Sequence, residues 1–449
     1  MKRIPSFFRE KNPFRGLSTF LFLWATQAFS ALGSSMTSFA LIIWSYQQKG
    51  TAMTTSLLSV CSYAPYVLLS IFAGALSDRW DKKRTMLLCD SCAVLTTVCV
   101  FALLLSGRLE VWHLYILNTI NGLMNAFQSP ASTTAVTLIV PKEQFHRISG
   151  LQAFSNSLVT ILTPILATAV LAFGGITTVI IIDLVSFAIA FISLAFFIKI
   201  PHTGLEQATA QESVWKTAMD GLRYLRHNRG ILDLILFMAV INLIASTYDA
   251  IMPPMLLSRN GGSTTALGLV NTFVGVANVA GSLLVSLLPP PKSRVRVIFN
   301  AITLSMATEN LLLAVGRNLP IWCVGAVLGW IAIPFLNANM NTILRLKIPV
   351  EMQGRVYSAR NTLQFFTIPL GFLVGGALND YVFEPMMATP SRVQQVFSVF
   401  VGTGKGSGAA ALFLVLAVLG TVVCLIARRD KRIWELDQTE ESESGVDAP

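Results

Sequence analysis

Long apolar runs, each bounded by polar or charged residues, recur along almost the whole chain of 449 residues. A helix needs about 20 predominantly apolar residues to cross the hydrocarbon core of a bilayer. Twelve runs reach that length, at about 17–44, 52–76, 85–106, 112–140, 148–172, 176–200, 230–257, 264–288, 295–316, 319–346, 357–379 and 409–427. The sequence therefore predicts an all-α integral membrane protein with twelve transmembrane helices.

The composition argues against soluble classes of protein. Hydrophobic residues make up 53% of the chain and charged residues only 12%, whereas about 25% of the residues of a soluble domain are charged. The net charge of +10 lies in short clusters between apolar runs, which does not indicate a nucleic-acid surface. The histidines are scattered and the cysteines lie in apolar stretches. We therefore expect no enzyme activity, no metal and no cofactor.

One polar interruption divides the predicted spans into six and six. We expect an N-terminal bundle at 1–200, a cytoplasmic linker at 201–229, a C-terminal bundle at 230–427 and an acidic, disordered tail at 428–449. Four apolar residues of the linker share one helical face, namely Trp215, Met219, Leu222 and Leu225. This pattern predicts a helix that lies on the inner leaflet. A solvated linker helix is the alternative.

The basic residues indicate how the spans are oriented. Twelve spans place 27 of the 33 lysines and arginines on the side of both termini. The opposite side has six, namely Lys49, Arg108, Arg259, Arg317, Arg392 and Lys405. The positive-inside rule therefore predicts that both termini are cytoplasmic.

A short repeat relates the two predicted bundles. The segments PKEQFHRIS (Pro141–Ser149) and PVEMQGRVY (Pro349–Tyr357) share Pro-x-Glu-x-x-x-Arg and follow the fourth and tenth spans. Parallel repeats of this kind occur in secondary transporters, where the substrate site lies at the repeat interface. The repeat predicts two pseudo-symmetric six-helix bundles.

The segment GALSDRWDKKRTM (Gly74–Met86), between the second and third spans, resembles the cytoplasmic signature of the major facilitator superfamily. The residues that match and form the expected gating loop are Gly74, Asp78, Arg79, Lys83 and Arg84. The resemblance implies the major facilitator fold. It also implies that Asp78 faces the start of the eleventh span, where a helix N-terminus favours an anion.

The first span, together with the Pro-x-Glu loops, is similar to the branch that holds macrolide-efflux proteins and the enterobactin exporter. That resemblance implies a monomer in the inner membrane of a bacterium, which exports amphipathic compounds in exchange for protons. The leading hypothesis is a proton-coupled exporter of a hydrophobic drug, antibiotic or siderophore-like metabolite. The alternative is a flippase for lysophospholipid or other lipid that works without a proton.

Three acidic residues lie deep in predicted spans: Asp183, Asp249 and Glu309. A charged side chain at the bilayer centre costs about 2.5–3.5 kcal/mol on insertion scales, so each needs a partner, a cavity or a proton. By resemblance the seventh span lines the cavity, which makes Asp249 the first candidate proton carrier. A structural hydrogen bond is the alternative for Asp183 and Glu309. Asp90, nearer a cytoplasmic end, is expected to reach headgroup water.

Polar residues on the spans that the resemblance places at the cavity are candidate substrate contacts. They are Gln27, Asn121, Asn125, Gln128, Asn242, Asn337 and Asn341. Helix–helix hydrogen bonding is the alternative, because an amide in lipid needs a partner. The string GTGKGSG (402–408) lacks the residues of a nucleotide loop. We expect a flexible glycine hinge there.

Overall fold

The computed structural model describes the backbone of residues 18–140, 145–198, 214–259 and 262–443. Within these ranges, the side chains of 18–19, 70–79, 137, 145–147, 149–150, 214–218, 350–351, 354, 358 and 438–443 lie outside the description. The described residues are mostly helical and include no strand. The helices of the first half are α1 (Ser18–Lys49), α2 (Ala52–Arg79), α3 (Lys82–Leu105), α4 (Val111–Ile139) and α5 (Phe145–Ile192).

Helix α5 contains two of the predicted spans. Its backbone is broken at Gly175, where φ is 67° and ψ is −178°. Glycine adopts this region without the steric penalty that a Cβ atom brings. The fifth and sixth spans therefore meet at this residue, and a π-helical turn (Ser193–Phe197) follows the sixth.

The second half begins with the linker helix α6 (Val214–His227). The spans that follow are α7 (Arg229–Ser258), α8 (Thr264–Leu287), α9 (Arg294–Val315), α10 (Leu319–Trp330) with α11 (Ile333–Lys347), and α12 (Val350–Phe365) with α13 (Thr367–Leu378). Thus the predicted tenth and eleventh spans are each two consecutive helices. The chain ends with a π-helical turn (Asn379–Phe383), α14 (Glu384–Ala388), α15 (Arg392–Val401), α16 (Ser407–Ala427) and α17 (Lys431–Glu443).

The predicted all-α membrane architecture is confirmed. In the part of the chain that the structure describes, ten helical stretches are long and apolar enough to cross a membrane. One of these, Leu151–Phe197, spans 47 residues and includes the break at Gly175. Helix α4 is not among the ten. The count of twelve spans remains a prediction.

The same helix pairs recur in the two halves. Helix α1 packs against α5, and α7 packs against α13; likewise α2 packs against α4, and α8 against α10. In terms of the predicted spans, the pairs 1 with 5 and 2 with 4 of the first half correspond to the pairs 7 with 11 and 8 with 10 of the second half. The halves meet through α2 with α13 and through α5 with α8. We name the side with Lys49 and Arg108 the exterior end and the side with Lys82 and Lys347 the cytoplasmic end, after the predicted orientation.

The linker helix α6 docks on the second half. Tyr224 Oη donates to the backbone oxygen of Lys347 at 3.1 Å, and Arg355 pairs with Asp220 at 3.3 Å. Burial raises the pKa of Tyr224. Of the predicted apolar face, Leu225 is buried, while Met219 and Leu222 are exposed, and the side chain of Trp215 lies outside the description.

The expectation that the whole C-terminal tail is disordered was wrong for its first part. Residues Lys431–Glu443 form α17, which packs against α7 and α9. The Asp437 carboxylate accepts a hydrogen bond from Ser293 Oγ at 2.5 Å and one from the backbone nitrogen of Arg294 at 3.0 Å. Asp437 therefore caps the N-terminus of α9, where free backbone N–H groups favour an anion.

The segment from Asp380 to Gly408, whose last seven residues we expected to form a flexible glycine hinge, is held by specific contacts. The Glu384 carboxylate accepts hydrogen bonds from the backbone nitrogens of Gly406 at 2.8 Å and Gly408 at 3.0 Å. Arg259 donates to the backbone oxygens of three residues, Leu313, Ala314 and Val401. Burial, with a smaller effect of Arg317, lowers the pKa of Arg259 to about 10, so the guanidinium stays charged at neutral pH.

Candidate functional site

A cavity of about 650 Å³ lies within the first half, mainly between α1, α3, α4 and α5. Its lining includes four predicted substrate contacts, which are Gln27, Asn121, Asn125 and Gln128, and one predicted proton carrier, Asp183. The other predicted contacts, Asn242, Asn337 and Asn341, do not line it. We name this space the N-half cavity.

Asp90 also lines the N-half cavity, and the expectation that it reaches headgroup water was wrong. It is only 7% exposed, and its Oδ1 accepts a hydrogen bond of 2.5 Å from Gln128 Nε2. Gln27 on α1 faces the same carboxylate. Sequence reasoning placed Asp90 by its distance from the helix end, whereas α1 and α4 cover it.

Asp183 contacts α1 about two helical turns further along than Asp90 does. Its Oδ1 accepts a hydrogen bond of 2.9 Å from Ser34 Oγ. Helix α1 approaches α5 closely here, because Gly33 has no side chain, and a Cβ atom at Gly33 would lie 3.0 Å from Asp183 Cα and would collide with Ser186 Oγ. The missing Cβ atom lets the two helices bring Ser34 to the carboxylate.

The second half contains a buried cluster around Glu309 on α9. Glu309 Oε1 accepts hydrogen bonds from Tyr248 Oη at 2.5 Å and from Trp330 Nε1 at 2.8 Å. Gly329 packs on the carboxylate so closely that a Cβ atom there would overlap it. Glu309 is 4% exposed, so its two donors compensate for the loss of water. Sequence reasoning proposed Glu309 but missed Tyr248 and Trp330, which lie on α7 and α10.

Asp249 is the neighbour of Tyr248 in the last third of α7, and its side chain is exposed in the structure. It is within electrostatic range of Glu309 and of Tyr63 on α2. The Tyr63 ring stacks on Phe372 of α13 with centroids 5.9 Å apart. Asp249 thus lies where the two halves meet and close to the Glu309 cluster.

The predicted substrate contacts of the second half take part in different interactions. Asn242 Nδ2 donates to the backbone oxygen of Gln364 at 3.1 Å, and Asn341 accepts from Arg360 at 3.4 Å. Arg360 Nε also donates to Gln364 Oε1 at 3.0 Å. Asn337 is exposed. Arg360 was missed in the sequence, because we counted it with the cytoplasmic loop although it lies inside α12.

The signature segment is described only in part. The side chains of Gly74, Asp78 and Arg79 lie outside the described residues, so the structure does not test the predicted contact of Asp78. Lys83 Nζ donates to the backbone oxygens of Ala195 at 2.9 Å and Ile198 at 2.8 Å. A cation at these last carbonyls of the sixth span stabilises the helix end.

The neighbouring residues of the signature are described as well. Arg84 is exposed. Its backbone nitrogen donates to Asp81 Oδ1 at 2.7 Å, so that Asp81 is the N-cap of α3. An aspartate is among the preferred N-cap residues, so Asp81 stabilises the start of α3.

A carboxylate joins the two halves at the exterior end. Asp380, just after α13, accepts hydrogen bonds from the backbone nitrogens of Ala52 at 3.0 Å and Met53 at 2.7 Å. These are the first residues of α2. Close packing supports the contact, since a Cβ atom at Gly376 would lie 3.0 Å from Met53 Cα. Sequence reasoning missed Asp380, because nothing local identifies a helix start more than 300 residues away as its partner.

Comparisons with known proteins agree with this arrangement. The family model described as Major Facilitator Superfamily matches residues 23–372. Macrolide efflux protein A of Streptococcus pyogenes is 25% identical over 371 residues, which are 81% of this chain and 90% of that protein. The multidrug efflux pump Tap of Mycobacterium bovis (strain BCG / Pasteur 1173P2) is 23% identical over 453 aligned residues, with 98% and 99% of the two chains covered.

A solved structure shares the fold. It is a bacterial homologue of the human lysosomal transporter Spinster, in an inward-facing and unoccupied conformation. The TM-score is 0.63 at 13% sequence identity, with 95% of this chain and 98% of that chain covered. The predicted resemblance is thereby confirmed. The chain is a membrane transporter, not an enzyme, and belongs to the Major Facilitator Superfamily.

Proposed function

We propose that this transporter exports a small amphipathic compound in exchange for protons. The observation that carries the proposal is Asp249, a carboxylate in the last third of the membrane helix α7 and within electrostatic range of Glu309. An ionisable side chain at membrane depth indicates an ion or proton pathway, since its burial in lipid is costly. In this proposal Asp249 exchanges its proton, and Glu309 couples it to α7 and α10 through hydrogen bonds with Tyr248 and Trp330.

The direction and the cargo are inferred from the relatives. Two of them are named as efflux proteins, one for macrolides and one for multiple drugs. The N-half cavity of about 650 Å³ has the size of a site for a drug-sized molecule. These observations favour export of a small molecule over the transfer of lysophospholipid.

The described contacts between the halves support a protein that is closed at its exterior end. Asp380 holds the start of α2, and Gly268 of α8 packs against Thr168 of α5. In alternating access these contacts have to break so that the substrate is released outside. We infer that Asp380 is an exterior latch, and that Asp78 is its counterpart at the cytoplasmic end, each at a helix N-terminus of the other half.

The proposal also covers the division into bundles, the orientation in the membrane and the oligomeric state. The bundles at 1–200 and 230–427 rock against each other, joined by the linker and followed by the tail at 428–449. Both termini face the cytoplasm of a bacterium, and the transporter works as a monomer. Asp183 and the amides of both halves contribute polar contacts. The recurrence of the helix pairs in the two halves supports the division into bundles.

The test is drug accumulation in a bacterial host that lacks its own efflux pumps. Cells that express the protein should accumulate less erythromycin than cells with an empty vector, and a protonophore should remove the difference. Equal accumulation with and without the protein, across a panel of macrolides and cationic dyes, would contradict export. Persistent export in the presence of the protonophore would contradict proton coupling.

A further inference from the structure

The two ionisable side chains that line the N-half cavity are both acidic. Asp90 and Asp183 line it, and no lysine, arginine or histidine is among its described lining residues. In the other half, Arg360 is engaged with Asn341 and Gln364 and does not line the cavity. A cleft with charges of one sign and low-dielectric walls attracts ligands of the opposite sign.

The two carboxylates lie at different depths. Asp90 faces Gln27 of α1, and Asp183 accepts a hydrogen bond from Ser34 of the same helix. Seven residues separate the two positions on α1, which corresponds to about 10 Å along the helix axis. The cavity therefore offers two negative positions on the path between the cytoplasmic and exterior ends.

A second observation points to a polar ligand. The hydroxyl of Thr163, on the α5 wall of the cavity, is buried at 9% exposure and has no hydrogen-bond partner among the described residues. Buried polar groups nearly always have a partner, because an unpaired one costs free energy. A ligand with a hydroxyl, ether or amine group would supply that partner.

We propose that the N-half cavity binds an organic cation that carries polar groups, with Asp90 and Asp183 as its two anchoring carboxylates. The proposal deepens the proposed export function by naming its substrate class, and it assigns Asp183 to the substrate. An anion would face two like charges, and a small inorganic cation would leave most of the cavity empty. Asp90 is the first anchor on the cytoplasmic side, and Asp183 is the second, nearer the exterior.

The experiment measures equilibrium binding of radiolabelled tetraphenylphosphonium, a permanent organic cation, to the purified full-length protein in detergent. The wild type should bind it saturably. Asp90→Asn and Asp183→Asn should each weaken binding at least about tenfold, or about 1.4 kcal/mol. Asp90→Glu and Asp183→Glu retain the charge and should stay within about threefold of wild type. These charge-retaining variants separate lost attraction from lost folding.

Two controls complete the experiment. Asp233→Asn removes a carboxylate that lies outside the cavity and 3.6 Å from Arg432, and it should leave binding unchanged. Triphenylphosphine oxide, which has three phenyl rings and no net charge, should bind the wild type and the two Asn variants with similar affinity. Unchanged tetraphenylphosphonium affinity in both Asn variants would overturn the proposal. An equal loss of affinity for the neutral probe would also overturn it.

The outcome is separable from that of the proposed function, since binding in detergent needs no gradient. Suppose that the wild type exports its substrate along a proton gradient, while Asp90→Asn and Asp183→Asn still bind the cation fully. That result would contradict the anchoring role of the two carboxylates and leave the export proposal intact. Cation binding that depends on Asp90 and Asp183, without any gradient-driven export, would support the anchoring role and contradict proton coupling.

Discussion

Tyr248 on α7 donates a 2.5 Å hydrogen bond to the carboxylate of Glu309 on α9. Trp330 on α10 donates to the same oxygen, so that one acidic side chain joins three helices. We predict that Tyr248→Phe lowers the thermal stability of the purified protein, because removing one partner of a buried hydrogen bond costs roughly 1–3 kcal/mol. Tyr381→Phe is the matched control, since Tyr381 is 73% exposed. Equal melting temperatures for the two variants would contradict a stabilising role for this bond.

The exterior latch can be tested at the amide groups that it binds. Asp380→Asn replaces a charged acceptor of the Ala52 and Met53 amides by a neutral one, which we expect to cost about 1 kcal/mol. A loss of this size shifts the balance toward the outward-open state roughly fivefold. Hydrogen exchange should therefore speed up in the peptide that starts α2.

The control for this experiment is Glu384→Gln, which removes a nearby carboxylate whose described hydrogen bonds stay within the second half. That variant should leave exchange at the start of α2 unchanged. Unaltered exchange in Asp380→Asn would contradict the latch.

The signature segment predicts two different phenotypes. Asp78→Asn should strongly reduce transport while membrane expression stays normal, because the variant removes the negative charge of the proposed latch at the cytoplasmic end. Lys83→Met should instead reduce thermal stability, because Lys83 caps the carbonyls of Ala195 and Ile198 within one half. Transport at the wild-type rate in Asp78→Asn would contradict the gating role. Arg84→Met, at an exposed position, serves as a control for Lys83→Met.

The orientation can be checked with reporter fusions. Fusions at Arg108 and Lys405, which are both exposed, should report the exterior, and fusions at Lys216 and after α17 the cytoplasm. Arg259 is a poor fusion site because it is buried and donates to three carbonyls. A cytoplasmic signal at Lys405 would contradict the twelve-span topology.

The sequence was sufficient to predict the elements and the family. Apolar length determines where a chain can cross a bilayer, and the helix bounds follow the predicted spans closely. Gln27, Asn121, Asn125 and Gln128 were predicted together, since amides on membrane helices must face a polar interior, and all four line one cavity.

What the sequence did not predict depends on contacts between distant helices. The burial of Asp90 requires Gln128 to cross from α4, and the role of Asp380 requires α13 to meet α2. Similarly, Asn242 and Asn341 were equivalent to the cavity amides in the sequence, but they bind Gln364 and Arg360 instead. A one-dimensional pattern identifies polar residues in a span but does not identify their partners.

The proposed proton coupling depends most on Asp249. The decisive measurement is erythromycin transport in proteoliposomes, with an imposed pH gradient for uphill transport and without one for counterflow. Asp249→Asn mimics the protonated acid permanently, so it should abolish uphill transport and retain counterflow, which needs no proton release. Glu309→Gln, at a residue buried behind Tyr248 and Trp330, should retain uphill transport at reduced yield. Full uphill transport by Asp249→Asn, with its loss in Glu309→Gln, would contradict the account and place the proton site on α9.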